Sequence, residues 1–211
     1  IMATPPLGHS VVPVALSEFI EGRDSVTVQY DVRRLENVID AVMIGAADIG
    51  LCLGLDTPPG LSTKIVERDR MVAVMRPDHP LAQLKIVRPD EIAKHGFIGL
   101  NRSSKLGLLL QNAFDFAEVP YTPQVEARYC HTAAVLAQSC NKIAIVDRYT
   151  ADFMPNMELV SRPFEPVISI NTCVVSRLNR RPSRLVAEFE AVFVKALNVQ
   201  QMDIGTAVAQ T

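Results

Sequence analysis

The chain has 211 residues, of which 48% are hydrophobic and 21% are charged, and its formal net charge is −2. This composition is typical of a folded protein, and the length can hold one domain or two small ones. The charge gives no reason to expect a nucleic-acid backbone as a partner, because phosphate binding relies on clustered Lys and Arg. No apolar run reaches the ~18 residues of a membrane helix, and the start lacks the features of a signal peptide. The sequence therefore predicts a cytoplasmic protein with no membrane contact, unless its start has been trimmed.

The four cysteines are spaced too widely for a disulfide framework or a zinc site, because they include no Cys-x-x-Cys pair and no matching pair of histidines. Cys52 and Cys173 lie in apolar stretches, where a thiol behaves as a small hydrophobic group. Cys130 stands at the predicted start of a helix, a position that can favour a thiolate, so a redox role stays open for it. The sequence contains no motif for a metal ion or a cofactor.

Hydrophobic periodicity and turn residues predict an alternating series of strands and helices. The chain is expected to begin in a strand at Ile1 to Ala3, followed by a loop from Thr4 to His9 and a helix that Ser10 caps and that ends near Ile20. The later elements, in chain order, are a half-buried strand at 26–31, a helix at 35–47, a strand at 49–53, a turn at 56–60, short strands at 63–67 and 70–75, a break at 77–80, a strand at 97–100, a helix at 104–118, a strand at 124–128, a helix at 132–140, strands at 143–147 and 167–176, and an amphipathic helix at 182–197. Residues 200–211 are expected to fray.

A strand-helix-strand-helix-strand pattern occurs twice, each time ending in a helix, a short polar turn and a buried strand. The two copies close with residues 35–53 and residues 132–147. Two similar α/β lobes imply a cleft between them. The alternation of strands and helices predicts parallel sheets, with helices on both faces and ligands at the carboxyl ends of the strands.

Four segments are expected to meet at these carboxyl ends. They are the loop from Thr4 to His9, the strand end at Leu53-Gly54, the loop Asn101-Arg102-Ser103-Ser104, and the helix start Cys130-His131-Thr132 together with Asp147. Helix N-termini present free N–H groups and a partial positive charge, so two of these loops suit a carboxylate. Asp147 supplies an opposite charge that suits an ammonium or guanidinium group.

Each of these candidates also has a purely structural explanation. His131 could cap its helix or bond to a neighbour, and Asp147 could cap the segment 148–153. Ser103 and Ser104 could cap the helix that follows them. Arg102 could be a solvated loop charge.

In their order along the chain, several segments resemble the effector-binding domain of LysR-type transcriptional regulators. They are Ala3-Thr4-Pro5-Pro6-Leu7 leading to Val11-Val12-Pro13, Gly45 to Leu51, Val72-Ala73-Val74 leading to Pro77 to Leu81, and Lys142 to Val146. No single motif is specific, but their joint order and spacing is. The resemblance covers the chain from Ile1 to about Asn198.

The resemblance implies a type 2 periplasmic-binding-protein fold, in which two crossover strands, here 70–76 and 167–176, join two Rossmann-like lobes. Lobe I would consist of residues 1–74 and 169–199, lobe II of residues 75–168, and residues 200–211 would form a tail. Members of the family carry an N-terminal winged helix-turn-helix, absent from this chain, through which alone they would bind DNA. They pair through their effector domains, which here suggests residues 12–20 and part of 104–118, and form tetramers at full length.

Within this family, the segments Cys130 to Ala133 and Ile145 to Asp147 look closest to the branch that senses amino acids and opines. One departure is that many relatives have Gly-x-Gly before the second buried strand and Pro after it, where this chain has Cys140-Asn141-Lys142 and Asp147. The effector is therefore expected to be an amino acid or opine, with an aromatic or other simple carboxylic acid as the alternative. The predicted ligand-binding residues are Thr4, Pro5, Leu7, Gly8, Gly54, Asn101, Arg102, Ser103, Ser104, His131, Thr132 and Asp147.

Two other classes of protein share such a two-lobed fold. An enzyme is disfavoured, because the sequence has no Gly-x-Ser-x-Gly elbow, no His-Glu-x-x-His and no phosphate-binding glycine loop. A pair formed by His131 and Asp147 could in principle do acid–base chemistry. The solute receptor of a transporter would normally need an export signal. The start of the full-length gene would discriminate among the three classes.

Overall fold

The computed structural model describes residues 1–54, 58–153 and 157–208, the last ten of these as backbone only. The chain divides into two compact units. Unit 1 consists of Ile1–Glu67 and Asn171–Thr211, and unit 2 consists of Arg68–Ile170. The boundaries expected from the sequence, 74/75 and 168/169, lie a few residues away in the same two regions of the chain.

Unit 1 contains a four-stranded sheet with strand order β2-β1-β3-β9. Strand β1 pairs in parallel with β2 and β3, and β3 pairs antiparallel with β9, with Leu51 opposite Val174. The elements of this unit are β1 (Met2–Ala3), α1 (Pro5–Gly8), α2 (Val11–Ile20), β2 (Asp31–Val32), α3 (Leu35–Ile44), β3 (Gly50–Leu53), the first part of β4 (Leu61–Met75), most of β9 (Ser169–Arg177) and α8 (Arg184–Val208).

The core of unit 1 lies between α3 and its sheet. Apolar residues recur at helical spacing in α3, so Val38, Ala41 and Val42 form one buried face. This face packs against Cys52 of β3 and Cys173 of β9. Helix α3 ends before the predicted residue 47 because Gly45 adopts a left-handed conformation with a φ of 81°.

Unit 2 contains a sheet in which β5 pairs in parallel with β6 and β7, while β4 pairs antiparallel with β7 and β8. Its elements are the last part of β4, a 3₁₀ helix (Pro80–Gln83), α4 (Pro89–His95), β5 (Phe97–Leu100), α5 (Lys105–Phe116), β6 (Val125–Ala127), α6 (Cys130–Cys140), β7 (Ile143–Asp147), α7 (Arg148–Asp152), β8 (Val160–Pro163) and the start of β9.

An aromatic cluster joins α5 to the sheet of unit 2. The rings of Phe97 and Phe114 stack with their centroids 5.0 Å apart. Tyr121 meets both rings edge-on, at 5.4 Å and 5.2 Å. All three side chains are buried, and such pairs add about 0.5–1.5 kcal/mol each beyond the area that they bury. The loop that carries Tyr121 is thereby fixed against β5.

Several elements differ from those predicted. The two short strands at 63–67 and 70–75 form one strand, β4, and the half-buried strand at 26–31 is reduced to Asp31–Val32. The loop from Thr4 to His9 contains a one-turn helix, and α8 continues to Val208, past the predicted start of the frayed tail. The sheets are mixed, because β4, β8 and β9 run antiparallel to their neighbours. Part of the predicted turn at 56–60 lies outside the described residues.

Ser10 precedes α2 but does not cap it with its side chain. Its hydroxyl instead donates to the carbonyl of Pro6 at 2.6 Å, which ties α2 to the short helix before it. Among the helices that the structure describes, none combines the length and the apolar character that a membrane span requires.

Candidate functional site

In each unit, parallel strands end at a common edge of the sheet, and the predicted ligand residues follow those strand ends. In unit 1, Thr4 follows β1 and Gly54 follows β3. In unit 2, Asn101 follows β5, while Asp147 ends β7. Because ligands of parallel α/β sheets bind outside the carboxyl ends of the strands, these two edges are the candidate sites of their units.

At the edge of unit 1, Thr4 joins the ends of two strands. Its hydroxyl accepts a hydrogen bond from the Leu53 backbone N–H at 3.2 Å and lies 3.5 Å from the Leu51 carbonyl oxygen. The residue is 4% exposed. Thr4 therefore links the ends of β1 and β3 directly before α1. Pro5, whose ring holds φ near the helical value, begins that helix.

Leu7 and Gly8 of the same helix are buried. A Cβ atom at Gly8 would lie 2.7 Å from Val32, and the Tyr30 hydroxyl donates to the Gly8 carbonyl, so this position accepts no side chain without a shift. Leu7 is 0% exposed and belongs to the core, and its predicted contact with a ligand stays a prediction. Gly54 is also buried, has a φ of 73°, and donates its N–H to Asn171 at 2.9 Å.

At the edge of unit 2, residues 101–104 form a hydrogen-bonded turn that leads into α5. The Asn101 side-chain oxygen accepts from the backbone N–H and the hydroxyl of Ser103, at 2.9 Å and 2.5 Å. The Asn101 carbonyl accepts from the N–H and the hydroxyl of Ser104, at 3.0 Å and 2.8 Å. Ser104 caps the helix by accepting from the Gly107 N–H at 3.1 Å. The predicted capping role of Ser104 is confirmed, and Ser103 remains exposed at the start of α5.

The first turn of α5 approaches this turn closely at Gly107. A Cβ atom at that position would lie 2.1 Å from the Asn101 carbonyl oxygen. Only glycine lets the helix start this close to Asn101. An isolated glycine inside a helical pattern is the sequence signal that could have identified it.

Arg102 is partly exposed and has defined partners. Its guanidinium donates to the Tyr121 carbonyl at 3.0 Å and lies 5.4 Å from the centre of the Tyr121 ring. Glu126 of β6 is 3.9 Å away, and the Arg102 side chain is 51% exposed. The Arg102 guanidinium is therefore fixed in place by its contacts with Tyr121 and is still accessible to a ligand.

Helix α6 begins at Cys130, with His131 and Thr132 exposed on its first turn. Cys130 itself is buried, and burial raises the pKa of its thiol, an effect that the nearby Asp147 carboxylate reinforces. A thiol with a raised pKa is a poor nucleophile. Burial and the raised pKa therefore disfavour the redox role left open for Cys130.

Asp147 is the N-cap of α7 and is 0% exposed. One carboxylate oxygen accepts from the Thr150 N–H and the other from the Thr150 hydroxyl, both at 2.8 Å. Burial raises the pKa of Asp147, while hydrogen bonds from Thr150 and Cys130 oppose that rise. The cap that the sequence allowed for Asp147 is confirmed, while its predicted contact with a cationic ligand group stays a prediction.

Tyr121 is the residue at this edge that the sequence did not identify. Its hydroxyl bonds to Leu100, directly before the turn, and its carbonyl bonds to Arg102 within the turn. Nothing in its local pattern distinguishes it from a core tyrosine. Within the described part of the chain, no three His, Cys, Asp or Glu residues are grouped so that they could hold a metal ion.

A groove of about 810 Å³ in unit 1 lies away from the predicted residues. It is lined by Met2 and Asp31, the first residues of β1 and β2, by Ile49 directly before β3, and by Phe19 and Phe189. It is therefore at the amino edge of the sheet, opposite to the edge that carries Thr4.

The LysR substrate binding domain family matches residues 1–198. The chain belongs to this family. The regulatory protein NocR of Agrobacterium tumefaciens (strain T37) is 28% identical over 182 residues, which are 86% of this chain and 61% of NocR. This LysR-type domain thus spans about six-tenths of the length of that relative.

Solved structures show the same fold. The BenM effector-binding domain with its effector benzoate has a TM-score of 0.78 and 17% identity, covering 95% of this chain and 92% of BenM's. The effector-binding domain of QuiR in complex with shikimate has a TM-score of 0.74 and 16% identity, covering 92% of this chain and 93% of QuiR's. These matches confirm the predicted α/β fold of the type 2 periplasmic-binding-protein class. Family membership also decides against the enzyme alternative.

Proposed function

We propose that this LysR-type domain binds a small carboxylate-bearing effector at the carboxyl edge of unit 2, and that the effector is an amino acid or an opine. The observation that carries the proposal is the turn at 101–104. It presents the exposed Ser103 hydroxyl and the held Arg102 guanidinium at the start of α5.

The chemistry of this edge suits an anion. Helices α5 and α6 both begin here, and a helix N-terminus carries a partial positive charge and unpaired N–H groups. The exposed Thr132 hydroxyl and His131 ring add polar groups at the start of α6. A guanidinium, hydroxyls and helix N-termini form charge-assisted hydrogen bonds to a carboxylate.

Two related observations support a carboxylate. Benzoate, the effector bound by BenM, and shikimate, which is bound to QuiR, are both small carboxylic acids bound by the same fold. The resemblance of residues 130–133 and 145–147 to the amino-acid and opine branch supports the finer class. Asp147, the predicted partner of the effector's cationic group, is buried and bonds to Thr150, so the cationic half of the assignment is supported by the resemblance alone.

The full-length protein is proposed to be a cytoplasmic transcriptional regulator that controls transcription through an N-terminal winged helix-turn-helix. Support comes from the family match and from the fact that this chain spans 61% of the length of NocR. DNA would be bound through that N-terminal domain, because the chain itself has a net charge of −2.

The effector proposal predicts thermal stabilisation by small carboxylic acids. A ligand at a hundred times its Kd adds about 2.7 kcal/mol, which raises the Tm of a domain of this size by about 5–10 °C. The domain is to be melted with L-arginine, N-carboxyethyl-arginine, benzoate and shikimate. Arg102→Gln should lower the affinity for the acid that binds best by about tenfold, because one charged hydrogen bond is lost.

Arg88→Gln is the matched control, since Arg88 is an exposed arginine of unit 2 that pairs with Glu165. It should leave the affinity unchanged. A flat melting temperature across all four acids would contradict the proposed function.

The domain is also proposed to form a homodimer, with tetramers at full length, through α2 and α5. Both helices carry large apolar side chains on their surfaces. Val14 and Ile20 on α2 are 49% and 51% exposed, and Leu108 and Phe116 on α5 are 47% and 81% exposed.

Val14→Glu or Leu108→Glu should shift the wild-type dimer to a monomer in light scattering, whereas Leu178→Glu, at another exposed apolar residue, should not. A wild-type domain that stays monomeric at high concentration would count against this interface.

A further inference from the structure

Tyr121 supplies the hydrogen-bond partner for the end of β5. Asn101 donates its N–H to Ala127 of β6 at 2.8 Å, and neighbouring residues of a strand direct their backbone groups to opposite sides. The N–H and carbonyl of Leu100 therefore point away from β6, towards the side of β7. The pairing of β5 with β7 already ends at Ile98 and Ala144, so β7 does not pair with Leu100. Leu100 is 1% exposed, so these groups need an internal partner. The Tyr121 hydroxyl is that partner for both groups, accepting from the N–H at 2.7 Å and donating to the carbonyl at 2.9 Å.

The same residue also holds the side chain of Arg102. The Tyr121 carbonyl accepts from the guanidinium at 3.0 Å, and the guanidinium carbon lies 5.4 Å from the centre of the ring. Tyr121 therefore contacts the residue directly before Asn101 and the residue directly after it. Tyr121 therefore holds the first half of the turn, with its hydroxyl bonded to Leu100 and its carbonyl bonded to Arg102.

The chain is built to admit this tyrosine. A Cβ atom at Gly99 would lie 2.5 Å from the Tyr121 hydroxyl and 2.6 Å from Pro123. Any other residue at that position would displace the loop. Edge-on contacts with Phe97 and Phe114 fix the orientation of the Tyr121 ring. Tyr121 is 5% exposed.

We propose that Tyr121 is the positioning residue of the effector turn at 101–104, acting through its hydroxyl on Leu100 and through its carbonyl and ring on Arg102. This proposal rests on the proposed function, since it assigns that turn to the effector's carboxylate. Tyr121 does not touch the effector. Without its hydroxyl, the two Leu100 backbone groups lose their partner, and the turn leaves the geometry in which Ser103 and Arg102 are presented together.

Tyr121→Phe tests the proposal first without any ligand. Hydrogen exchange of the backbone amides of residues 101–107 should become about tenfold faster in this variant, because the turn opens locally. Ile145→Ala is the control, since Ile145 is a buried residue of β7 in the same unit. It lowers the stability of unit 2, and its apolar side chain makes no hydrogen bond to the turn. Unchanged exchange at 101–107 in Tyr121→Phe, or an equal local change in Ile145→Ala, would overturn the proposal.

Binding supplies the second readout, with L-arginine, N-carboxyethyl-arginine, benzoate and shikimate as probes. The acid that binds the wild type should bind Tyr121→Phe about tenfold more weakly, and this loss should shrink in an Arg102→Gln background because the two residues act together. Faster exchange with unchanged affinity would overturn the positioning role. If none of the four acids binds the wild type, the proposed function fails and the effector role of Tyr121 fails with it, while exchange still decides whether Tyr121 holds the turn.

Discussion

Asp147→Ala is expected to lower the free energy of unfolding by about 2 kcal/mol. The substitution removes the cap of α7 and leaves the Thr150 N–H, buried beside it, without its acceptor. Loss of an N-cap costs about 0.5–2 kcal/mol, and an unpaired buried donor costs about 1–3 kcal/mol. Urea denaturation measures the change. An unfolding free energy equal to that of the wild type would contradict the capping role.

Asp147→Asn is the companion variant, because its side-chain oxygen can still accept from Thr150. It also isolates the effect of the charge. Burial raises the pKa of Asp147, so the folded state binds a proton more tightly than the unfolded chain does. Wild-type stability from this group therefore increases as the pH falls from the raised folded-state pKa towards about 3.9, the ordinary value of an aspartate. Asparagine lacks this dependence, so the stability of the wild type relative to Asp147→Asn should rise on acidification.

Gly107→Ala is expected to destabilise the domain by about 2 kcal/mol, although alanine is the better helix former. Helix propensity alone would favour alanine by about 1 kcal/mol. The new Cβ atom, however, would lie 2.1 Å from the Asn101 carbonyl oxygen, a backbone atom that cannot move without displacing the turn. Overpacking of this kind costs about 1–3 kcal/mol and occasionally more, and here it outweighs the propensity.

Asn112→Ala serves as its control, since Asn112 is exposed on the same helix. This variant should be slightly more stable than the wild type, because alanine is the better helix former. Urea denaturation and melting with the four acids give the comparison. Gly107→Ala should lose both stability and acid binding. A gain of stability in both variants would contradict the close approach of α5 to the Asn101 carbonyl.

The sequence predicts elements well where one local pattern decides the outcome. Helix α3 and strand β3 are found close to their predicted places, because the helical spacing of buried residues needs no distant partner. Strand β4 is different. Its first part is largely exposed or half-buried and its last part is buried throughout. This change of pattern predicted two strands, whereas the structure contains one.

The candidate site divides along the same line. That Ser104 caps α5 could be read from its position before a helical pattern. For Asp147, position alone allowed both a cap and a ligand contact, and the cap became evident only from the two hydrogen bonds that Thr150 donates. The function of Tyr121 depends on Leu100, Gly99 and Arg102 at once, a juxtaposition that no local pattern encodes.

The division of the chain has a consequence for its synthesis. Unit 2 is one uninterrupted stretch, whereas unit 1 is assembled from two stretches that flank it. Helix α2 packs against the late helix α8, with the rings of Phe19 and Phe189 5.4 Å apart and Lys195 bound to Glu18 at 2.6 Å. At ~5–20 residues per second, the ribosome delivers Phe189 on the order of ten seconds after the first part of unit 1. During that interval unit 2 can complete its fold while the apolar face of α2 stays uncovered, so the early part of the chain is the one that needs protection from aggregation.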